Sequence, residues 1–345
     1  MTNPVLVELT RGEWPESRHR GSVAISDASG ALVWSVGDVD SPVFARSALK
    51  MLQALPLVET GAADAFGVTD AELALACASH SGEAVHVETA ASWLERIGCD
   101  ETCLACGPHP PINEAANRAL ILAGRSPSRL HNNCSGKHTG FLTVARRLGV
   151  DIEGYERPGH PVQRLVLAAM AGMAGIDRAA MHVAVDGCAA PAAAFPLKGL
   201  ARAMAQIADP SSLAPERAEA ARRLDQAVKT NPLMVAGTGR PCTAIIRAAD
   251  GAASVKTGAE GVFVAVLSEL GLGVALKIDD GAGRGAETVI ATILAALGVV
   301  PAEEPTIAAL IDAPVLNTRG KVVGARRPAD WVAPAVREAF GATRR

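Results

Sequence analysis

The distribution of apolar and polar residues predicts β-strands at both ends of this 345-residue chain. Ser22–Ser26 and Ala31–Val36 alternate between apolar and polar side chains on either side of a turn at Asp27–Gly30, which is typical of a β-hairpin. Turn residues also separate short apolar segments in the last third of the chain. The strands predicted there are Thr243–Ala248, Ala253–Lys256, Gly261–Leu267, Leu272–Ile278 and a short final one, Val322–Gly324.

The middle of the chain predicts helices that are separated by loops rich in glycine and proline. Thr69 and Glu72 form a capping-box pattern, which predicts that a helix starts at Asp70. Met181–Val185 predicts one short strand, and the Ala-rich stretch Ala189–Ala194 is expected to be a tightly packed loop. The predicted helices are Ser47–Ala54, Asp70–Ala78, Val85–Ile97, Asn113–Ala123, Lys137–Leu148, Pro161–Met173, Pro215–Val228 and Glu287–Leu297.

Strands at both ends around a helical middle predict an α+β fold. We expect one antiparallel sheet that is built from both chain ends, is flanked by helices and contains a helical insert. Residues 1–345 then form a single functional unit, although the length would also allow two domains. Within it, residues 1–50 and 240–345 are expected to form the sheet part, and residues 51–239 the mainly helical part.

Composition narrows the range of partners. The 33 basic residues are balanced by 36 acidic ones, so the chain lacks the basic surface of a nucleic-acid-binding protein. No apolar run reaches the roughly 18 residues that span a bilayer, and the first 20 residues lack the apolar core of a signal peptide. We therefore expect a cytoplasmic protein without nucleic-acid or membrane partners. Seven cysteines, an odd number, favour reduced thiols or a metal over a disulfide framework.

The ratio of arginine to lysine indicates which basic residues are candidates for chemistry. The chain has 26 arginines and only 7 lysines. Arginine supplies a positive charge wherever one is needed, but it cannot lose its proton, whereas a lysine in a suitable environment can act as a base. Lysines that fall within motifs are therefore candidates for chemistry.

Two such motifs lie far apart in the chain. Ser47-Ala-Leu-Lys50 places a hydroxyl and an amine on one face of a helix, and a lysine can activate a serine as a nucleophile. Lys256-Thr257-Gly258 lies between two predicted strands. Alone, the first motif is also compatible with an N-cap serine and a solvated lysine, and the second with a surface lysine in a turn. With Ser79-His80-Ser81 between them, their order resembles that in penicillin-recognising serine hydrolases, which have Ser-Asp-Asn at the middle position.

Cysteines indicate a second kind of chemistry. Cys134 lies in the polar segment Asn132–His138, Cys188 ends a predicted strand and Cys242 begins another. Thiolates are good zinc ligands, so these three residues either meet at a metal or are separate buried thiols. Cys99, Cys103 and Cys106 with His109 form a further candidate, but their cramped, proline-rich spacing favours packing thiols and a His109 that orders the loop.

Five longer segments of the chain carry a resemblance to known proteins. They are Ala78–Glu83, Leu104–Pro110, Leu130–Gly140, Val185–Cys188 and Val255–Gly258. Together they resemble one enzyme family, the Rhizobium etli-type (class 3, inducible asparaginase II) L-asparaginases. The resemblance extends from about Val5 to Val299 and implies a fold similar to serine β-lactamases, penicillin-binding proteins and glutaminases. It also implies a homodimer that hydrolyses L-asparagine to L-aspartate and ammonia.

The same resemblance implies roles for individual residues. Two Ser-Lys tandems are expected to be catalytic, three residues to bind Zn²⁺, and six others to surround the substrate. Ser47 attacks the substrate in our interpretation, but Ser79 is an open alternative. The implied sets are Ser47 with Lys50 and Ser79 with Lys256 as the tandems, Cys134, Lys137 and Cys242 as zinc ligands, and Arg46, His80, Glu83, His138, Asp186 and Cys188 around the substrate.

Other readings of the sequence stay open. The zinc ion can either take part in the chemistry or orient the substrate and hold the loop Asn132–His138, and we prefer the second role. A glutaminase or penicillin-binding type of serine amidase is the alternative activity. A cysteine hydrolase that uses Cys134 or Cys188 with His138, and a zinc-stabilised binding module without enzymatic activity, are the other two hypotheses.

Overall fold

Eleven strands are present in the part of the chain that the structure, a computed structural model, describes, which is residues 2–343. In chain order they are β1 (Val5–Arg11), β2 (Trp14–Asp27), β3 (Leu32–Val36), β4 (Pro42–Phe44), β5 (His182–Val185), β6 (Pro191–Pro196), β7 (Ser254–Thr257), β8 (Val262–Leu267), β9 (Leu272–Ile278), β10 (Ala313–Leu316) and β11 (Val322–Pro328).

Eight of these strands, from both chain ends, form one antiparallel sheet, as the sequence predicts. Its order is β10-β11-β1-β2-β9-β8-β7, and β3 pairs with β2. The predicted hairpin is confirmed by the pairing of Val23 with Val36. The predicted final strand is also confirmed, because β11 pairs with β1 through Val7 and Pro328.

Fourteen α-helices occur between residues 2 and 343. They are α1 (Lys50–Glu59), α2 (Ala62–Ala65), α3 (Asp70–Ala76), α4 (Ala84–Arg96), α5 (Glu114–Leu122), α6 (Ser135–Leu148), α7 (Pro161–Ala174), α8 (Leu197–Ala208), α9 (Pro215–Thr230), α10 (Pro232–Val235), α11 (Pro241–Ala248), α12 (Gly283–Ala296), α13 (Pro305–Ile311) and α14 (Val332–Thr343). None of the helices in this range is both long and apolar enough to cross a membrane.

The chain divides into two compact units. The sheet unit comprises Met1–Ala48, Phe195–Asp209 and Ala244–Arg345, and the helical unit comprises Leu49–Ala194 and Pro210–Thr243. In the sheet unit, α8 packs on β2, β8 and β9, and α12 packs on β1, β8, β9 and β11. Because β8 is buried at every position, both of its faces are covered, as in the core of a layered fold.

The core of the helical unit is built around α1. Its residues from Lys50 to Val58 are all buried, and it contacts α6, α7 and α9. A helix that is apolar all round is typical of a position surrounded by other helices. Lys50 and Gln53, the two polar residues among these nine, are therefore removed from bulk water together with the apolar ones.

Two local predictions are wrong. Thr243–Ala248 belongs to helix α11, not to a strand, because Pro241 opens the segment at a position where proline favours a first helical turn. Ala189–Ala194 contains the beginning of strand β6, which pairs with β5 through Val183 and Ala193. Small side chains at this strand are buried throughout, so their packing against neighbours outweighs the low strand propensity of alanine.

The capping box at Thr69 gives a quantitative prediction. The Thr69 side chain accepts a hydrogen bond from the Glu72 backbone, and Glu72 bonds back to the Thr69 N–H at 2.8 Å. Thr69→Ala removes the hydroxyl and is expected to lower the free energy of unfolding by about 1 kcal/mol. Thr89→Ala, within α4, is the control, because its hydroxyl bonds only to a carbonyl of its own helix. Equal unfolding midpoints of the two variants in urea would contradict the capping role.

Candidate active site

The serine of the S-x-x-K motif lies in a strained turn of the sheet unit. Ser47 belongs to the 3₁₀ turn Arg46–Leu49, which leads directly into α1. Arg46 has φ +50°, a left-handed conformation that is costly for a residue with a side chain. The next motif lies against the same turn, because a Cβ atom at Gly258 would be 2.7 Å from the Ala45 carbonyl oxygen. Glycine is therefore required where the Lys256-Thr257-Gly258 motif approaches this backbone.

Lys256 is buried at the same edge of the sheet. It belongs to β7, is 2% exposed, and its Nζ donates a hydrogen bond to the Thr257 carbonyl oxygen at 2.7 Å. A lysine is almost never buried to this extent without partners. The strand that carries Lys256 thus lies beside the turn that carries Ser47, although the two motifs are far apart in the sequence.

Lys50 is held by three oxygen atoms of the helical unit. Its Nζ donates to the carbonyl oxygen of Ala78, to Ser79 Oγ at 3.1 Å and to the Asn133 carbonyl oxygen at 3.2 Å. The three acceptors match the three protons of an ammonium group. A neutral amine would keep the two bonds to carbonyls and accept the Ser79 proton at the third position. This arrangement allows a proton to pass between Ser79 and Lys50.

The loop after α3 presents Ser79 and His80. The backbone N–H of Ser79 donates to the Val235 carbonyl oxygen at 3.0 Å. His80 Nδ1 accepts from the Gly82 N–H, so its proton is on Nε2, which donates to Ser135 Oγ at 2.9 Å. Burial, followed by the charges of His86, Lys50 and His131, holds the pKa of His80 well below its usual value. His80 is thus a neutral hydrogen-bond donor and not a base for Ser135.

Glu83 is fully engaged by protein donors. Its Oε1 accepts from Ser81 Oγ at 2.6 Å and from the Thr238 N–H at 2.7 Å, and its Oε2 accepts from Thr238 Oγ1 at 2.7 Å. Burial acts to raise the pKa of Glu83, but the hydrogen bonds from Ser81 and Thr238 outweigh it and the pKa is lowered. Both oxygens of the Glu83 carboxylate therefore accept hydrogen bonds from protein groups.

Cys134, Lys137 and Cys188 form a buried cluster in the helical unit. Lys137 Nζ lies 2.9 Å from Cys188 Sγ. A hydrogen bond from the Cys188 thiol lowers the pKa of Cys134, against the effect of burial, and the charges of Lys50 and Lys137 lower it further. The same bond raises the pKa of Cys188. Burial acts to lower the pKa of Lys137, but the sulfur atoms of Cys134 and Cys188 raise it, so the cluster holds a thiolate beside an ammonium group.

The turn between β5 and β6 brings Asp186 and Cys188 towards Lys137. The Asp186 N–H donates to the Ala190 carbonyl oxygen at 2.9 Å, and Asp186 Oδ1 accepts from the Gly187 N–H at 2.6 Å. The charge of Asp186 also contributes to the raised pKa of Lys137. Two residues expected beside the substrate are therefore on one tight turn next to an expected zinc ligand.

His138 lies one residue beyond Lys137 and carries a buried donor. Ala105 N–H donates to Tyr155 Oη at 2.8 Å, which leaves the Tyr155 proton for His138 Nδ1 at 2.7 Å. Burial, followed by the charges of Lys137 and Lys50, keeps the pKa of His138 well below its usual value, so the neutral ring has its proton on Nε2. Nε2 faces the backbone of Cys188 but forms no hydrogen bond of normal geometry with the described protein atoms.

Cys106 is buried near this cluster, and burial, followed by the charge of Cys134, raises its pKa, while the charge of Lys137 acts to lower it. Three other cysteines lie in different settings. Cys242 is buried at the start of α11. Between residues 2 and 343, no group of three or more His, Cys, Asp or Glu side chains has the arrangement of a metal site. The expected set of Cys134, Lys137 and Cys242 contains only two such side chains, so it stays a prediction. Cys99 and Cys103 are half-buried near Arg146, and His109 is exposed.

Sequence reasoning missed two residues of this region. Tyr155 is the only tyrosine of the chain, and its rarity in a sequence with 11 aromatic residues was the available signal. Thr238 had no signal, because its bonds to Glu83 connect positions 155 residues apart.

The comparison with known families covers nearly the whole chain. The model of the family described as L-asparaginase II matches residues 7–328. The chain belongs to the L-asparaginase II family. The resemblance seen in the sequence is thereby confirmed, and the match includes every predicted site residue from Arg46 to Lys256. No curated protein sequence matches the chain significantly.

Solved structures with a similar fold belong to other enzymes. A β-lactamase from Mycobacterium bovis is 14% identical, with a TM-score of 0.40 over 77% of this chain and 89% of that one. A mutant of simvastatin synthase from Aspergillus terreus is 11% identical, with a TM-score of 0.36 over 75% of this chain and 86% of that one. At these TM-scores the likeness carries no argument about the site.

The Tyr155 hydroxyl offers a test of the His138 geometry in this asparaginase II family member. Tyr155→Phe removes the donor to Nδ1 and the acceptor of the Ala105 N–H, and is expected to lower the free energy of unfolding by about 1–2 kcal/mol. The ¹⁵N resonances of the His138 ring are expected to shift towards the other tautomer. His160, an exposed histidine, provides the control in the same spectrum. Unchanged His138 resonances would contradict the assignment.

Proposed function

We propose that this chain is an amidohydrolase that converts L-asparagine to L-aspartate and ammonia by attack of a serine on the side-chain amide. The family match over residues 7–328 supports an asparaginase-type amidase. The observation that carries the mechanism is the hydrogen bond between Lys50 Nζ and Ser79 Oγ at 3.1 Å, within a site that fixes the amine through two carbonyl oxygens. This relation lets Lys50 exchange a proton with Ser79, which supports the role of Ser79 as a proton relay. The role of Ser47 as the nucleophile rests on the Ser47-Ala-Leu-Lys50 motif.

In the proposed reaction, Ser47 attacks the amide carbon and its proton passes to Lys50. The tetrahedral intermediate then expels ammonia, and water hydrolyses the ester to release aspartate. Ser79 relays protons between Lys50 and the leaving group, and Lys256 provides a second positive charge. Backbone N–H groups near the nucleophile are the expected donors to the oxyanion, where loss of a single donor costs about 3 kcal/mol.

The substrate is a zwitterion, so the site has to pair both of its charges. We assign its α-carboxylate to Arg46 and its α-ammonium to Asp186. Glu83 is less suited to the ammonium because its two oxygens already accept three hydrogen bonds. The buried Nε2–H of His138, which faces the backbone of Cys188 without a hydrogen bond of normal geometry, is a donor that a substrate oxygen can accept from.

Zinc fits the cluster of Cys134, Lys137 and Cys188. The Cys188 sulfur contacts both the Lys137 amine and the Cys134 sulfur, and two sulfur atoms and an amine are a suitable donor set once the amine and both thiols have lost their protons. We propose Cys188 as the third ligand in place of Cys242. Bound zinc would orient the substrate, while these residues hold the segment Asn132–His138. The homodimer and the cytoplasmic location also stay predictions.

The nucleophile is tested by serine and lysine variants. Ser47→Ala is expected to lower kcat for ammonia release by at least about 10³-fold, because no other group forms the covalent intermediate. Lys50→Arg is expected to be similarly inactive, since arginine retains charge but cannot accept a proton. Folding is checked by circular dichroism. Near-normal turnover in Ser47→Ala with inactive Ser79→Ala would exchange the roles of the two serines.

Substrate class is measured on the same wild-type protein. L-Glutamine has one more methylene, which is worth only about 1–3 kcal/mol in a pocket, so weak glutaminase activity is expected. A chromogenic β-lactam is expected to be stable. A preference for glutamine or turnover of the β-lactam would replace the proposed substrate by the alternative one.

Metal content separates the two possible ligand sets. Lys137→Arg and Cys188→Ser are expected to lose bound zinc, measured by mass spectrometry of the dialysed protein, whereas Cys242→Ser is expected to retain it. Loss of zinc in Cys242→Ser but not in Cys188→Ser would restore the set expected from the sequence. A wild-type protein that binds no zinc under any condition would exclude the metal.

A further inference from the structure

We propose that Glu83 and Thr238 form a clamp that positions Ser79 against Lys50. The clamp rests on the proposed function, in which Ser79 exchanges a proton with Lys50. It gives Glu83 the role of a positioning residue, where the sequence led us to expect contact with the substrate. The argument follows from the contacts of two loops, residues 79–83 after α3 and residues 235–238 after α10.

The two loops are joined at both ends. At one end, the Ser79 N–H donates to the Val235 carbonyl oxygen at 3.0 Å. At the other end, Thr238 donates to Glu83 twice, from its N–H and from its Oγ1, each at 2.7 Å. Bonds to an ionised acceptor are roughly twice as strong as neutral ones. The backbone position of Ser79 is therefore tied to a loop that Glu83 holds.

The middle of the clamp leaves no free space. Gly237 has φ +109°, and a Cβ atom there would lie 1.8 Å from Ser81 Oγ and 2.4 Å from Glu83 Oε1. Ser81 Oγ itself donates to Glu83 at 2.6 Å. The loops thus touch over their whole length, and a shift at Thr238 is transmitted along the backbone towards Val235.

The bond between Ser79 Oγ and Lys50 depends on where the loop holds the serine. The Asn133 carbonyl oxygen binds Lys50 Nζ from a different loop, whereas the Ala78 carbonyl oxygen belongs to the peptide bond that precedes Ser79, so the amine meets the clamped loop at two neighbouring atoms. Ser79 Oγ lies 3.1 Å from Nζ, so a displacement of about 0.5–1 Å breaks the bond. Misplacement of a reacting group by about 1 Å can cost a factor of about 10² in rate.

Other residues hold the same loop but do not replace the clamp. His86 accepts from the Glu83 N–H at 3.2 Å and donates to the Leu233 carbonyl oxygen at 2.9 Å. Its ring stacks on His80, with centroids 5.0 Å apart. These contacts fix the start of α4, whereas the Glu83 carboxylate alone reaches across to Thr238.

The test compares two substitutions of the exposed Thr238. Thr238→Val removes the hydroxyl bond to Glu83 but keeps the shape of the side chain, and Thr238→Ser keeps the hydroxyl. We expect kcat for asparagine to fall about tenfold in Thr238→Val with KM within about twofold, and to stay near the wild-type value in Thr238→Ser. Thr89→Val is the control for loss of an exposed hydroxyl, and it is expected to retain full activity.

The outcomes separate the possible roles of this region. A tenfold rise in KM with unchanged kcat, in Thr238→Val and in Glu83→Gln, would assign the pair to substrate binding and overturn the clamp. Equal kcat in Thr238→Val and wild type would also overturn it, and so would a loss of kcat in Thr238→Val that Thr238→Ser does not rescue. Thermal unfolding of every variant shows whether the fold is retained.

A wild-type protein without asparaginase activity would instead overturn the proposed function, and the turnover assay on the wild type detects this before any variant is compared.

Discussion

The site of this protein depends on the burial of one lysine. Lys50 begins a helix that is buried along almost its whole length, and its amine is 1% exposed. Burial of a charged amine costs several kcal/mol unless oxygen atoms replace its water shell. Ala78, Ser79 and Asn133 provide these oxygens from two loops. The hydrogen bonds from Lys50 therefore also fix the positions of the two loops. The predicted catalytic serine at position 79 is one of the three partners that the lysine requires.

The same constraint explains why the neighbouring ionisable groups are neutral or paired. His80 and His138 lie near Lys50 and Lys137, and both are buried, so a third and fourth positive charge would be unfavourable. Negative charge is favoured instead, and Cys134 provides it as a thiolate that accepts from Cys188. A divalent zinc ion at the cluster would take the place of the protons on Lys137 and Cys188, which is why affinity for the metal would increase with pH.

Most of the fold followed from local patterns, and the errors have identifiable causes. The capping box at Thr69 and the hairpin around Asp27–Gly30 depend on near neighbours, and the structure confirms both. Thr243–Ala248 is too short and apolar for its periodicity to separate helix from strand. The site was harder to predict than the fold. Motifs identified Lys50 and Cys134, but the bond between Glu83 and Thr238 depends on two loops that only the tertiary structure brings together.

The distribution of lysine and arginine links composition to mechanism. Lys50, Lys137 and Lys256 are the lysines that are less than 5% exposed, and they are the three that lie in the family motifs. No arginine in residues 2–343 is buried to the same extent. If these positions needed only a positive charge, arginine would be the better residue, because its guanidinium is weakly hydrated and therefore less costly to bury. Lysine offers what arginine does not: a compact amine that can lose its proton and then act as a base or as a metal ligand.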